Sequence, residues 1–179
     1  MTVHLNLQED VMIQTRTLYL KDEVDFNDEL GPDLEMLCGI NKDPITIYIS
    51  SNGGSVPDGI AIMRAIQKVQ SEGVSVIGIV RGHALSMGFL ILQQCTERRM
   101  GEFDILMAHG ITSIMMGDMK DIEAQTKILN FWRTSFASFL DGRTNEDITY
   151  WESILKDNTP VYYTPDEALE AGLVDIVEG

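Results

Sequence analysis

A β-branched run, Val74 to Val80, passes through Gly82-His83-Ala84-Leu85-Ser86-Met87-Gly88 into an apolar stretch that ends at Cys95. β-Branched residues favour extended backbone, and an apolar stretch of that length fits a buried helix. A strand handed to a helix by a short turn is the repeating unit of parallel sheets, because parallel neighbours need a crossover between them. That unit recurs along the chain. Strands are expected over 17–20, 45–50, 74–80, 104–108 and 173–177. Helices are expected over 26–38, through Ile60, Met63, Ile66 and Val69, over 85–95 and over 121–140. A further helix opens after Thr144, with Asp147 in the capping-box position, and must stop before Pro160. The last opens at Thr164-Pro165-Asp166-Glu167, with Thr at the cap and Glu three residues on, and ends at Gly172. The alternation predicts an α/β fold with a mainly parallel sheet. No linker or repeat divides 1–179, so one domain is expected, with 1–16 as a short N-terminal segment.

Charge narrows the partners. Thirteen basic against 28 acidic residues give a net charge of −15, which argues against nucleic acid or an anionic membrane. The acidic residues are spread along the chain, as on a solvated surface. There is no apolar run long enough for a membrane span and no secretory leader pattern, so a cytoplasmic protein is expected. Cys38 and Cys95 lie in apolar helical surroundings and read as buried free thiols. No Cys/His spacing fits zinc, and neither GxxxxGK[ST] nor GxGxxG occurs, so neither metal nor cofactor is expected.

In α/β sheets functional groups gather beyond the carboxyl ends of strands. Three such ends stand out here. Strand 45–50 ends at Ser51-Asn52-Gly53-Gly54, strand 74–80 at the Ser86 turn, and strand 104–108 at His109. A serine at a strand-to-helix turn is held out of the sheet beside the positive end of the helix, which suits a nucleophile. Imidazole is the base suited to near-neutral pH, and of His4, His83 and His109 only His109 closes a strand. The Gly53-Gly54 pair lets a backbone N–H approach an oxyanion, with the Met87 N–H as a second donor. Ala84-Leu85-Ser86-Met87-Gly88 resembles the nucleophile elbow of α/β-hydrolases, whose order is Ser, acid, His. His109 stands only 23 positions after Ser86, so the acid must follow the histidine, which disfavours an ordinary esterase.

From Thr17 to the C-terminus the chain resembles the ClpP family of self-compartmentalised serine proteases, within the crotonase-like superfamily. The resemblance rests on Ile47-Tyr48-Ile49-Ser50-Ser51-Asn52-Gly53-Gly54, on Gly82 to Gly88, on Met107-Ala108-His109, and on Glu167-Ala168-Leu169-Glu170-Ala171-Gly172-Leu173-Val174-Asp175. It implies the ββα-spiral fold, and a serine endopeptidase that hydrolyses peptides or unfolded proteins through an acyl-enzyme. It assigns Ser86 as nucleophile, His109 as base, and the Gly54 and Met87 N–H groups as oxyanion hole. It further implies a homo-oligomer of heptameric rings, commonly stacked as a tetradecamer around a chamber, with helix 121–140 as a protruding handle. The other reading of that helix's stripe (Ile122, Leu129, Trp132, Phe136, Phe139) is an intrachain core face.

Several features depart from the family pattern. Asn52 stands where the family usually has proline, and Gly110-Ile111 replaces Gln-Pro after the histidine. The family's triad aspartate lies four residues before the Ser/Thr that opens the last helix, a position held here by Pro160. Asp157 is taken as the third member, with Asn158 or no third member as the alternatives. Only about 16 residues precede the first expected strand, whereas family members usually carry longer axial loops that meet an AAA+ unfoldase, so the resemblance by itself does not carry dependence on that partner over to this chain. The rival functional reading is a catalytically impaired ring subunit that assembles with or modulates an active protease. A crotonase-type acyl-CoA enzyme would not explain Ser86 and His109 together.

Overall fold

The computed structural model describes residues 7–25, 29–112, 116–157 and 159–179. In chain order its elements are α1 Leu7–Thr15, β1 Thr17–Val24, α2 Leu30–Ile40, β2 Ile45–Gly54, α3 Val56–Ser71, β3 Val76–Leu85, α4 Met87–Gln94, β4 Glu97–Gly101, β5 Ile105–Ala108, α5 Met119–Asp141, α6 Ile148–Lys156, β6 Val161–Tyr163, α7 Pro165–Glu170 and β7 Ile176–Glu178. Strands β1, β2, β3, β4 and β7 lie side by side in that order, all parallel. β3 is long enough to serve two neighbours: residues 77–79 pair with β4 and residues 83–85 with β5. β6 adds an antiparallel edge to β5. Asp104 bridges the split, its carboxylate accepting from Gly82 N at 2.7 Å and Gly101 N at 2.6 Å. The mainly parallel α/β architecture expected from the alternation is therefore the one observed.

Side-chain alternation decides which face of the sheet is covered. Ile45, Ile47 and Ile49 of β2 are fully buried, while Thr46, Tyr48 and Ser50 between them stay half-buried. Parallel sheets are usually buried on both faces; here helices cover one. The other face carries Tyr19 beside Tyr48 at 5.6 Å between ring centroids, with Lys21 over the first ring and Arg81 over the second.

Several boundaries differ from those expected, each for a tertiary reason. β1, β2 and β3 run on to Val24, Gly54 and Leu85, because pairing with a parallel neighbour carries extended backbone past the β-branched run. The polar strand β4 and the three-residue β6 carry no alternation signal of their own. α1 occupies part of the short N-terminal segment 1–16, for which the sequence pattern names no element. It ends at the buried Arg16, whose guanidinium donates to the carbonyls of Leu37, Asp43 and Pro44 and so ties the end of α2 to the start of β2. α2 begins at Leu30; Phe26, the expected start, lies outside the described residues. α6 is capped by Asp147, whose side chain accepts from Tyr150 N at 2.8 Å, and not by Thr144. Thr144 instead accepts from the indole of the fully buried Trp151 at 2.9 Å. The last strand starts at Ile176 because the N–H groups of Leu173 and Val174 close the end of α7 onto Ala168 O.

The apolar stripe of α5 is divided. Phe136, Ala137 and Leu140 are buried in its last turns, whereas Met119, Ile122, Ile128 and Phe131 are exposed. Both cysteines are free and buried, and burial pushes the Cys95 thiol up to about 12. Among the described residues no helix is long and apolar enough to cross a membrane.

One polar network ties the C-terminal segment to the sheet. Arg98, buried on β4, donates to both carboxylate oxygens of Asp175 at 2.6 and 3.1 Å, to Gln93 Oε1 at 2.7 Å and to Gly172 O at 2.8 Å. Partial burial alone would raise the Asp175 carboxyl, but the hydrogen bonds and charge of Arg98, with Arg143 nearby, outweigh it and hold Asp175 below the usual carboxylate range. A depressed folded-state value stabilises the fold above the unfolded carboxylate range and loses that contribution as pH falls through the folded value. Asp175→Asn is therefore expected to melt below the wild type at pH 7. With the carboxylate side chain 40% exposed, screening holds the loss to about 1 kcal/mol, roughly 2–4 °C. Thermal midpoints between pH 7 and pH 2.5 should show that gap closing below about pH 4; a gap that persists in acid would contradict the assignment.

Candidate active site

Ser86 caps α4 with φ 52° and ψ −116°, in the half of conformational space that side chains rarely adopt. Two backbone bonds hold it there. Its N–H donates to Met107 O of β5 at 2.9 Å, and its carbonyl accepts from Leu90 N at 3.2 Å inside α4. The side chain makes no capping bond, so the hydroxyl is left for other work. The Met87 N–H that follows belongs to the first turn of α4, whose donors have no intrahelical acceptor.

The end of β2 presses against this turn. Gly53 has φ 90°, and a Cβ there would lie 2.6 Å from Ser86 Cβ and 2.8 Å from Met87 N. Gly54 has φ 145°, and a Cβ there would lie 2.4 Å from Val24 O. Both positions therefore require glycine, and the requirement comes from contact with the serine turn and with β1. The buried Ser51 hydroxyl shapes the approach, donating to Asp22 O at 2.8 Å and accepting from Gly53 N at 3.1 Å. Gly53 N–H is thereby engaged within the strand.

His109 follows directly on β5, half-buried. Ser86, Met87, Gly53, Gly54 and His109 together line one cleft of about 320 Å³. Much of its wall is apolar, from Val56 of α3, Phe89 and Leu90 of α4, Ile111, Phe136 of α5 and Leu155 of α6, with Thr112 as a polar neighbour. Glu23 and Asn52 also line it. The three strand ends singled out from the sequence do converge on this cleft.

The third position is different. β5 pairs antiparallel with β6, Ala108 opposite Val161. Extending that register by one residue sets His109 opposite Pro160, which has no carboxylate to offer. Asp157 is the C-cap of α6, and its backbone carbonyl accepts from Gly110 N at 3.1 Å, so it is tied to the residue after the histidine. Its exposed carboxylate accepts from Thr159 N and Thr159 Oγ1, both at 3.1 Å. Asp157 is not among the residues lining the cleft, and the His109 ring makes no hydrogen bond among the described residues. Asn158 and His4 lie outside the described residues. His83 sits on β3 opposite Ile105, away from the cleft, with its Nε2 buried and without a hydrogen-bond partner among the described residues. The described residues contain no group of acidic, His and Cys side chains fit to hold a metal.

Sequence reasoning passed over Glu23, Phe136 and Leu155 as cleft residues. Glu23 was within reach of the strand-end argument, had β1 been carried to Val24. Phe136 and Leu155 come from distant helices, and no local pattern announces which helix will roof a cleft.

A protein-family model described as Clp protease matches residues 4–179. The "ATP-dependent Clp protease proteolytic subunit 2" of Tropheryma whipplei is 30% identical over 173 residues, covering 93% of this chain and 92% of that protein. The "ATP-dependent Clp protease proteolytic subunit 1" of Prochlorococcus marinus is 28% identical over 172 residues, covering 93% of this chain and 85% of that protein. The "ATP-dependent Clp protease proteolytic subunit 3" of Rhodococcus jostii is 29% identical over 178 residues, covering 96% and 85%. With a match across nearly its whole length and a parallel sheet that delivers Ser86, His109 and the glycine pair to one cleft, the chain belongs to the Clp protease family.

Proposed function

We propose that this chain is a serine endopeptidase that cleaves peptides or unfolded proteins through an acyl-enzyme. The observation that carries the reading is the shared cleft: a serine in strained backbone, a histidine and a glycine-only strand end meet beside the unpaired N–H groups of a helix start. In this mechanism Ser86 Oγ attacks the scissile carbonyl and His109 takes its proton. The tetrahedral oxyanion is received by the Gly54 and Met87 N–H groups. His109 then returns the proton to the departing amine, and water releases the acyl group by the same steps in reverse order. Asp157 is the proposed orienting acid, in a rotamer that leaves Thr159 for the imidazole. No metal or cofactor takes part.

The relatives' names speak of ATP-dependent proteolysis, and their family's ring assembly extends to this chain as part of the proposal. The exposed Met119, Ile122, Ile128 and Phe131 of α5 give a ring partner apolar surface to cover. The proposed setting is a cytoplasmic homo-oligomer of heptameric rings.

A second reading is favoured by one specific observation. The Asp157 carboxylate is turned onto Thr159, and the β5–β6 register carried one residue past Ala108 leads to Pro160, which suits a subunit whose histidine is poorly aimed and which serves an active partner. A fluorophosphonate probe separates the two readings. It is expected to label the purified protein at one site per chain, mapped to Ser86 by peptide mass analysis. Intact oligomers that neither take the label nor hydrolyse fluorogenic peptides would overturn the peptidase reading in favour of the silent subunit.

A further inference from the structure

The cleft combines apolar side chains with the uncharged polar Asn52, Ser86 and Thr112, and it carries charge at one edge. Among the described lining residues, Glu23 and His109 are the only ionisable side chains, and no lysine or arginine accompanies them. Glu23 is exposed and takes part in none of the ion pairs or side-chain hydrogen bonds among the described residues. Backbone pairing fixes where it stands. Glu23 pairs with Gly53, just after a register shift in the β1–β2 ladder, and Gly53 is the residue that abuts Ser86. Strands in a sheet lie about 4.8 Å apart, so Glu23 stands one strand beyond the residue touching the nucleophile. That is roughly 10 Å from the serine, a distance an extended peptide covers in about three residues. A carboxylate on a cleft whose described lining holds no lysine or arginine, in a chain of net charge −15, concentrates a negative potential where substrate must enter.

We infer that Glu23 is a specificity residue: it selects peptides with a lysine or arginine side chain within about three residues of the scissile bond. The inference rests on the peptidase reading above and adds a substrate class to it. Glu23 touches no reacting atom in this role; it binds a flanking side chain of the substrate through charge.

The test is a set of fluorogenic peptides sharing one apolar residue at the cleavage point. Each of the three positions on either side carries Lys, Gln or Glu in turn. At one or more positions the wild type is expected to give a kcat/KM ratio of Lys to Glu of about five. Glu23→Gln should bring that ratio close to one and Glu23→Lys should invert it. The ratio is taken within each variant, so a change in overall turnover or in folded fraction cancels. An unchanged ratio in both variants, or no charge preference in the wild type while the Gln peptides are cleaved, overturns the Glu23 assignment alone. No cleavage of any peptide by the wild type overturns the peptidase reading and this inference with it.

Discussion

Alanine at Ser86 or at His109 is expected to lower peptide kcat by about 10⁶-fold, and the double variant to be no slower than either single one. The non-additivity is the informative part. If His109 acts by taking the proton from Ser86 Oγ, each residue is useless without the other, and removing the second removes nothing further. Residual turnover in all three variants should be similar, because the proposed Gly54 and Met87 donors and the rest of the cleft remain to bind substrate and polarise its carbonyl. The measurement is steady-state hydrolysis of an uncharged fluorogenic peptide by the two single variants and the double variant, with sedimentation and circular dichroism confirming an unchanged assembly. Losses that multiply, or a His109→Ala enzyme within tenfold of the wild type, would mean that the two side chains share a cleft without sharing a proton.

Asp157→Asn is expected to reduce kcat by about 10⁴-fold, the loss seen when a serine protease's orienting carboxylate becomes an amide. Asparagine is the right substitution because its side-chain oxygen can still accept from Thr159 N and Thr159 Oγ1, so the turn after α6 keeps its bonds. A drop in rate then reports on the charge and hydrogen-bonding of the group at His109 and not on collapse of the loop. Asp157 has the right tether, since its backbone carbonyl holds Gly110 N. A change of less than about threefold would show that Ser86 and His109 work as a dyad, with Pro160 marking the place from which the third member has gone. In that case the expected loss in the Ser86 and His109 variants would be correspondingly smaller, because the starting rate is already lower.

Much of the fold could be read from local chemistry. The β-branched run at Val74 to Val80, the alternating Ile45, Ile47 and Ile49, and the Thr164-Pro165 cap each name their element because the signal lies within a few residues. Element ends were less legible. β3 runs through Gly82 and His83 to Leu85 because β5 pairs with it there, and nothing in those residues' own propensities requires it. The start of α6 differs from the expected one because Thr144 and Asp147 are both good caps, and Thr144 is engaged by Trp151, whose buried indole donates to it.

The candidate site divides along the same line. By itself the sequence determined that Ser86 sits at a strand-to-helix turn, that His109 closes a strand, and that a glycine pair closes another. Each is a statement about a residue and its near neighbours. Only the tertiary structure decided that these ends meet in one cleft, that Gly53 has no room for a side chain because Ser86 is there, that Glu23 stands at its edge, and that the β5–β6 register, carried one residue past Ala108, leads to Pro160. Those facts depend on register between strands far apart in the chain. Register is set by which apolar faces pack together, a property of the whole sheet and of no single segment.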